Sequence, residues 1–129
     1  MYPIEGRHES WFTDNALNYF KQKKYCLVWN VVEGVNNPFP ITSDYLYLRL
    51  IGDRSISDKQ FGAVRKNKSD FIKKWAQKLI GISDIPLAMV MANNHFEGFG
   101  PATANTLGEN LGRRELMWES KKQKTIGNF

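Results

Sequence analysis

The sequence is short of the residues that build most recognisable sites. It has one cysteine, Cys26, so no intramolecular disulfide can form, and a reducing, cytoplasmic setting is the expectation. It has only two histidines, His8 and His95, far apart in the chain and with carboxylates scattered between them, which is no metal-ligand spacing. No cofactor is indicated either: there is no Walker loop, no GxGxxG and no serine-nucleophile elbow. No apolar run approaches the roughly 18 residues that a membrane-crossing helix needs. The start, Met1-Tyr2-Pro3-Ile4-Glu5, lacks the apolar core of a signal peptide, so no membrane partner is expected. Internal repeats and low-complexity stretches are absent as well. What remains is ordinary: 129 residues, 42% hydrophobic and 24% charged, which excludes a disordered chain and allows one domain.

The net charge of +5 is concentrated at one end. Residues 113–129 hold Arg113, Arg114, Lys121, Lys122 and Lys124 against Glu115 and Glu119. Such a tail is either a solvated terminus or a basic arm for nucleic acid, with Trp118 as a stacking group.

Strands and helices alternate along the chain. Residues 2–7 read as extended and 8–12 as a loop. Thr13 then caps a helix with Ala16, Leu17 and Phe20 on its apolar side. Residues 26–32 form a strand apolar on both faces, and 33–43, with Gly34, two prolines and two asparagines, form a loop. Tyr45–Ile51 alternates: Tyr45, Tyr47 and Arg49 share one face, Leu46, Leu48 and Leu50 the other. Ser57 and Gln60 form a capping box. A helix after Asn67 or Ser69 carries Phe71, Ile72, Trp75, Ala76, Leu79 and Ile80 on one face, with Lys73, Lys74 and Lys78 turned away. Leu87–Ala92 is a fourth strand, and a helix from Pro101 presents Ala104, Leu107 and Leu111. The order predicts an α/β fold, four parallel strands with outer helices.

Ligands of parallel α/β folds bind beyond the carboxyl ends of the strands, and each strand here ends in polar groups that its apolar body does not explain. They are Glu5, Arg7 and His8; Asn30; Arg49; and Asn93, Asn94 and His95. Arg49 and Arg7 suit a carboxylate or phosphate, Glu5 or His8 a proton carrier, and Asn93 and Asn94 the orientation of hydroxyls or bases. Glu5 and Arg7, on one strand face, can instead satisfy each other. The loop His95–Gly100 either folds over a pocket or packs Phe96 and Phe99 against the rim.

Three segments, Glu5-Gly6-Arg7-His8-Glu9-Ser10-Trp11-Phe12, Tyr45-Leu46-Tyr47-Leu48-Arg49-Leu50-Ile51-Gly52 and Asn93-Asn94-His95-Phe96-Glu97-Gly98, resemble, in order, the motifs of the domain-of-unknown-function family 72 (DUF-72, the YecE-like proteins). The resemblance implies half of a TIM-type (β/α)8 barrel. Residues 1–112 would be its C-terminal half and 113–129 a basic C-terminal tail. It also implies a partner for the open face, either a second copy or a separate N-terminal half-barrel chain. The family's activity is unestablished, and a nucleic-acid-processing role follows only from fold analogy. Three positions depart from the family pattern: Ile51 stands where it has histidine, Asn30 where it has aspartate, and Gly6 where it has an aromatic. The chain can thus be an enzyme-type barrel half binding an anionic or phosphate-bearing ligand, a non-catalytic nucleic-acid-binding module, or a degenerate fragment without independent activity.

Overall fold

Five short strands, all paired in parallel, form the framework: β1 (Pro3–Ile4), β2 (Cys26–Leu27), β3 (Trp29–Val31), β4 (Tyr45–Leu50) and β5 (Leu87–Ala92). The structure is a computed structural model, and it describes residues 2–34 and 36–114. The strands make two sheets, one ordered β1-β2 and the other β3-β4-β5. The class is mixed α/β with parallel strands, but the expected four strands are five. The predicted strand over 26–32 is interrupted at Val28, whose N–H donates to Ile4 O at 2.8 Å. The cause lies in the following loop. The Thr42 hydroxyl accepts the Leu27 N–H at 2.9 Å and donates to Tyr25 O at 2.8 Å. A side chain thus takes the place of a ladder bond, and β4 first pairs at Trp29.

The helices are α1 (Asp14–Lys23), α2 (Ser69–Ile80), α3 (Asn94–Glu97) and α4 (Gly100–Asn110), with 3-10 turns at Glu9–Phe12 and Asp58–Gln60. Thr13 caps α1 through its hydroxyl, and the Ser57–Gln60 capping box is present at the second turn. The first half of the segment His95–Gly100 is α3, and Phe96 is buried in the core.

The core lies between the outer face of the β3-β4-β5 sheet and the helices. Leu46, Leu48 and Leu50 pack with Trp29 and Val31, against Ile72, Trp75 and Ala76 of α2, Phe96 of α3 and Leu107 of α4. At about 25 cal/mol per Å² of apolar area removed from water, this single contiguous cluster is the principal stabilising feature of the domain. The predicted apolar face of α2 is only partly covered. Phe71 is 42% and Ile80 65% exposed, at the two ends of the helix. Lys78 departs from expectation too: its Nζ does not point away but sits 4.4 Å from the Phe39 ring centroid, 4.9 Å from Trp75 and 5.1 Å from Trp29. A lysine stem lying along apolar surface with its ammonium over ring faces is a favourable arrangement.

Candidate functional site

Parallel pairing brings all the strand ends to one end of the molecule. The register sets Asn30 beside Arg49 and Arg49 beside Met91, so the three side chains share the inner face, opposite the helices. Tyr45 and Tyr47 lie on the same face of β4, and the Tyr47 hydroxyl donates to Met91 Sδ.

Glu5, just beyond β1, joins this face. Its carboxylate accepts from Arg7 Nε at 2.8 Å and from Arg49 Nη1. One carboxylate therefore holds two guanidiniums, and the cluster keeps one formal positive charge. Side-chain exposures are 54% for Arg7, 30% for Arg49 and 25% for Glu5, so the cluster is open to water. Partial burial pushes the Glu5 carboxyl up, but the hydrogen bonds and charges of Arg7 and Arg49 outweigh it and hold the group below its ordinary value. A carboxylate so stabilised is a weak base, better suited to fixing the two arginines than to carrying a proton.

The remaining predicted residues divide in two. Asn30 is 2% exposed; its Nδ2 donates to Gly6 O at 3.4 Å and its Oδ1 has no hydrogen-bond partner among the described residues. Tyr45, on the same face of the sheet, is buried as well. The others hold turns. His8 Nδ1 accepts the Ser10 N–H at 3.2 Å and lies 3.0 Å from Ser10 Oγ, capping the first 3-10 turn. Asn93 Oδ1 accepts the His95 N–H at 2.9 Å as the cap of α3, and Asn94 Oδ1 accepts the Gly100 N–H at 2.8 Å where α4 begins. His95 Nδ1 lies 3.0 Å from Ile56 O, its ring edge-on to Phe61. Among the described residues, none of Asn93, Asn94, His95 and His8 bonds to Glu5, Arg7 or Arg49. Of the basic tail, Arg113 and Arg114 are described; Trp118, Lys121, Lys122 and Lys124 lie outside the described residues.

Two departures from the family pattern have local consequences here. A Cβ at Gly6 would stand 2.6 Å from Trp11 Cγ, so the Trp11 indole packs where an aromatic at position 6 would begin. Ile51 is 6% exposed and therefore an apolar core residue, where an imidazole would need a buried partner.

Sequence reasoning missed Glu97. It is 3% exposed and accepts from the Lys68 N–H at 2.9 Å and the Thr103 hydroxyl at 2.7 Å, tying α3 to the start of α2 and to α4. Its only sequence signal was an acidic residue inside an aromatic-rich segment. No group of three or more His, Cys, Asp or Glu side chains gathers as metal ligands among the described residues, and no helix among them is long and apolar enough to cross a membrane.

Comparison with known proteins agrees with the motifs. The family model described as "Protein of unknown function DUF72" matches residues 1–126. A DUF72 family protein of Enterococcus faecalis V583 superposes with a TM-score of 0.65 at 21% identity, covering 87% of this chain and 49% of that one. A DUF72 family protein of Thermotoga maritima MSB8 gives 0.62 at 16% identity, covering 86% and 46%. The chain thus spans about half the length of the solved structures it matches. No curated protein matches it. With its three motifs, its parallel α/β framework and a family match over nearly its whole length, the chain belongs to the DUF72 family, whose function is unknown.

Proposed function

We propose that this chain forms one half of a TIM-type (β/α)8 barrel and that the completed unit binds an anionic, phosphate- or carboxylate-bearing ligand at the C-terminal ends of its strands. The observation that carries the binding reading is the Glu5 carboxylate shared between Arg7 and Arg49. The pairing holds two guanidiniums at one carboxylate and leaves one positive charge uncompensated. An incoming anion competes with Glu5 for Arg49 and draws Arg7, the more exposed of the two, onto its second oxygen.

Three features support the half-barrel part. Arg49 and Met91, on the face opposite the helices, stay partly or largely exposed, so that face lacks a cover among the described residues. The edge strand β5 carries no charge or proline and exposes Leu87 and Met91, although parallel sheets are normally covered on both faces. The solved relatives are about twice as long. The completing half is a second copy or a separate N-terminal half-barrel chain.

Calorimetric titration with inorganic phosphate, at constant ionic strength, tests the binding reading. Saturable binding that Arg49→Ala abolishes and Arg7→Ala weakens is the expected result. Equal heats for the wild type and Arg49→Ala would remove the anion site. Light scattering tests the second part, where a stable monomer with a well-protected sheet excludes completion by a second copy.

A further inference from the structure

A second concavity lies on the helical side of the sheet, between the loop after β3 and the first turns of α2. Its volume is about 840 Å³, in the range of small-molecule sites, and none of Glu5, Arg7 and Arg49 lines it. Its walls include four aromatic rings, Phe39, Phe71, Trp75 and Phe96. Phe39 and Trp75 meet edge-to-face at 4.9 Å, and Phe71 lies 5.9 Å from Phe96 and 6.4 Å from Trp75.

We propose that this cavity binds a planar organic cation of the aryl-ammonium or aryl-amidinium class. The first ground is what the rings already attract. Lys68 Nζ lies 4.6 Å over the Phe96 ring, and Lys78 Nζ caps Phe39 and Trp75 from outside. The cluster thus holds two of the protein's own ammonium groups by its ring faces. Phe71, 42% exposed, is the wall still open to solvent.

The second ground is charge. Lys68 is neutralised by Glu33 at 2.7 Å. Asp70, on the cavity wall one residue before Phe71, has no ion pair or side-chain hydrogen bond among the described residues, and the Glu97 carboxylate is buried next to Phe96. At the start of α2, the Lys68 N–H donates to Glu97 Oε1 and the Ser69 N–H to Asn67 Oδ1 at 2.9 Å, so these two donors are not open to a ligand. Among the lining residues two carboxylates, Glu33 and Asp70, stand against one ammonium, Lys68, so a flat cation stacks on Phe71 and directs its charge to Asp70. Selectivity is therefore opposite to that proposed for the strand-end cluster, and each site is testable without the other.

The test is titration of the full chain with benzamidine, and separately with its neutral counterpart benzamide, followed through the tryptophan indole N–H resonances. Benzamidine is expected to shift one indole signal saturably, with benzamide binding about tenfold more weakly. Asp70→Asn and Phe71→Ala are surface changes whose fold circular dichroism verifies, and each is expected to weaken benzamidine about fivefold. Absence of a saturable shift overturns the proposal. So does equal affinity for the two probes, or an Asp70→Asn variant that binds benzamidine as the wild type does.

Discussion

Arg49 and Glu5, 44 positions apart in the chain, meet across the β2/β3 segment that separates their strands. The contact fixes the β1 end against β4, and Arg7 closes on the same carboxylate from its own strand end. Because the folded state depresses the Glu5 carboxyl below its ordinary 4.5, the cluster's stabilisation is fully present above that value. It is lost as pH falls through the depressed folded value. Urea midpoints measured between about pH 7 and pH 3 are expected to fall on the acid side. Glu5→Gln should flatten that fall; an unchanged acid slope would mean that other carboxylates carry it.

Gly52, which ends β4, is required by the approach of another segment. It has φ of +85°, and a Cβ there would stand 2.8 Å from the His95 carbonyl carbon. Backbone on both sides leaves nothing flexible to yield. Gly52→Ala is expected to cost about 2–4 kcal/mol of unfolding free energy, from left-handed strain together with the clash. Gly34→Ala is the control: its φ is +80°, but nothing lies within 4 Å of the added Cβ, so only the strain remains. Denaturant unfolding of the pair separates the two effects.

How much of this was legible in the sequence follows from the range of each interaction. Period-2 alternation in Tyr45–Leu50 assigned both faces of β4 correctly, because side-chain direction in a strand is local. The Thr13 cap and the Ser57–Gln60 box were legible for the same reason. Pairing of Glu5 with Arg7 was foreseen as an alternative to ligand binding, and the structure adds Arg49 as a third member. The break at Val28, the position of Lys78 and the role of Glu97 were not legible. Each depends on a group from a distant segment: Thr42 for the strand, Phe39 and Trp29 for the lysine, Lys68 for the glutamate. Asn93 and Asn94 make equally local bonds, to the His95 and Gly100 N–H groups, and were read for chemistry because residues 93–95 read in sequence as a strand end and not as the start of a helix.

Thr42 offers a direct check on the strand break. Thr42→Val keeps the shape but removes the acceptor for the Leu27 N–H and the donor to Tyr25 O. Leu27 is 1% exposed, so its N–H cannot turn to water instead. The expected loss is about 1–3 kcal/mol, with faster amide exchange at Leu27 than in the wild type. Unchanged exchange there would show that another acceptor serves.

Lys78 and Lys73 lie on one helix and look equivalent in sequence, yet only Lys78 has its ammonium recorded over a ring. Replacing Lys78 by alanine removes an exposed cation from beside three rings and uncovers the edge of the Trp29–Trp75–Phe39 cluster. Replacing Lys73 trims an exposed side chain. Lys78→Ala is expected to lower stability by about 1–2 kcal/mol and Lys73→Ala by less than about 0.5 kcal/mol. Lys78→Met discriminates further, since it retains apolar cover without the charge. Recovery of most of the loss in Lys78→Met would assign the effect to packing, whereas a loss equal to that of Lys78→Ala would assign it to the cation. Chemical denaturation of the three variants under one set of conditions separates these outcomes.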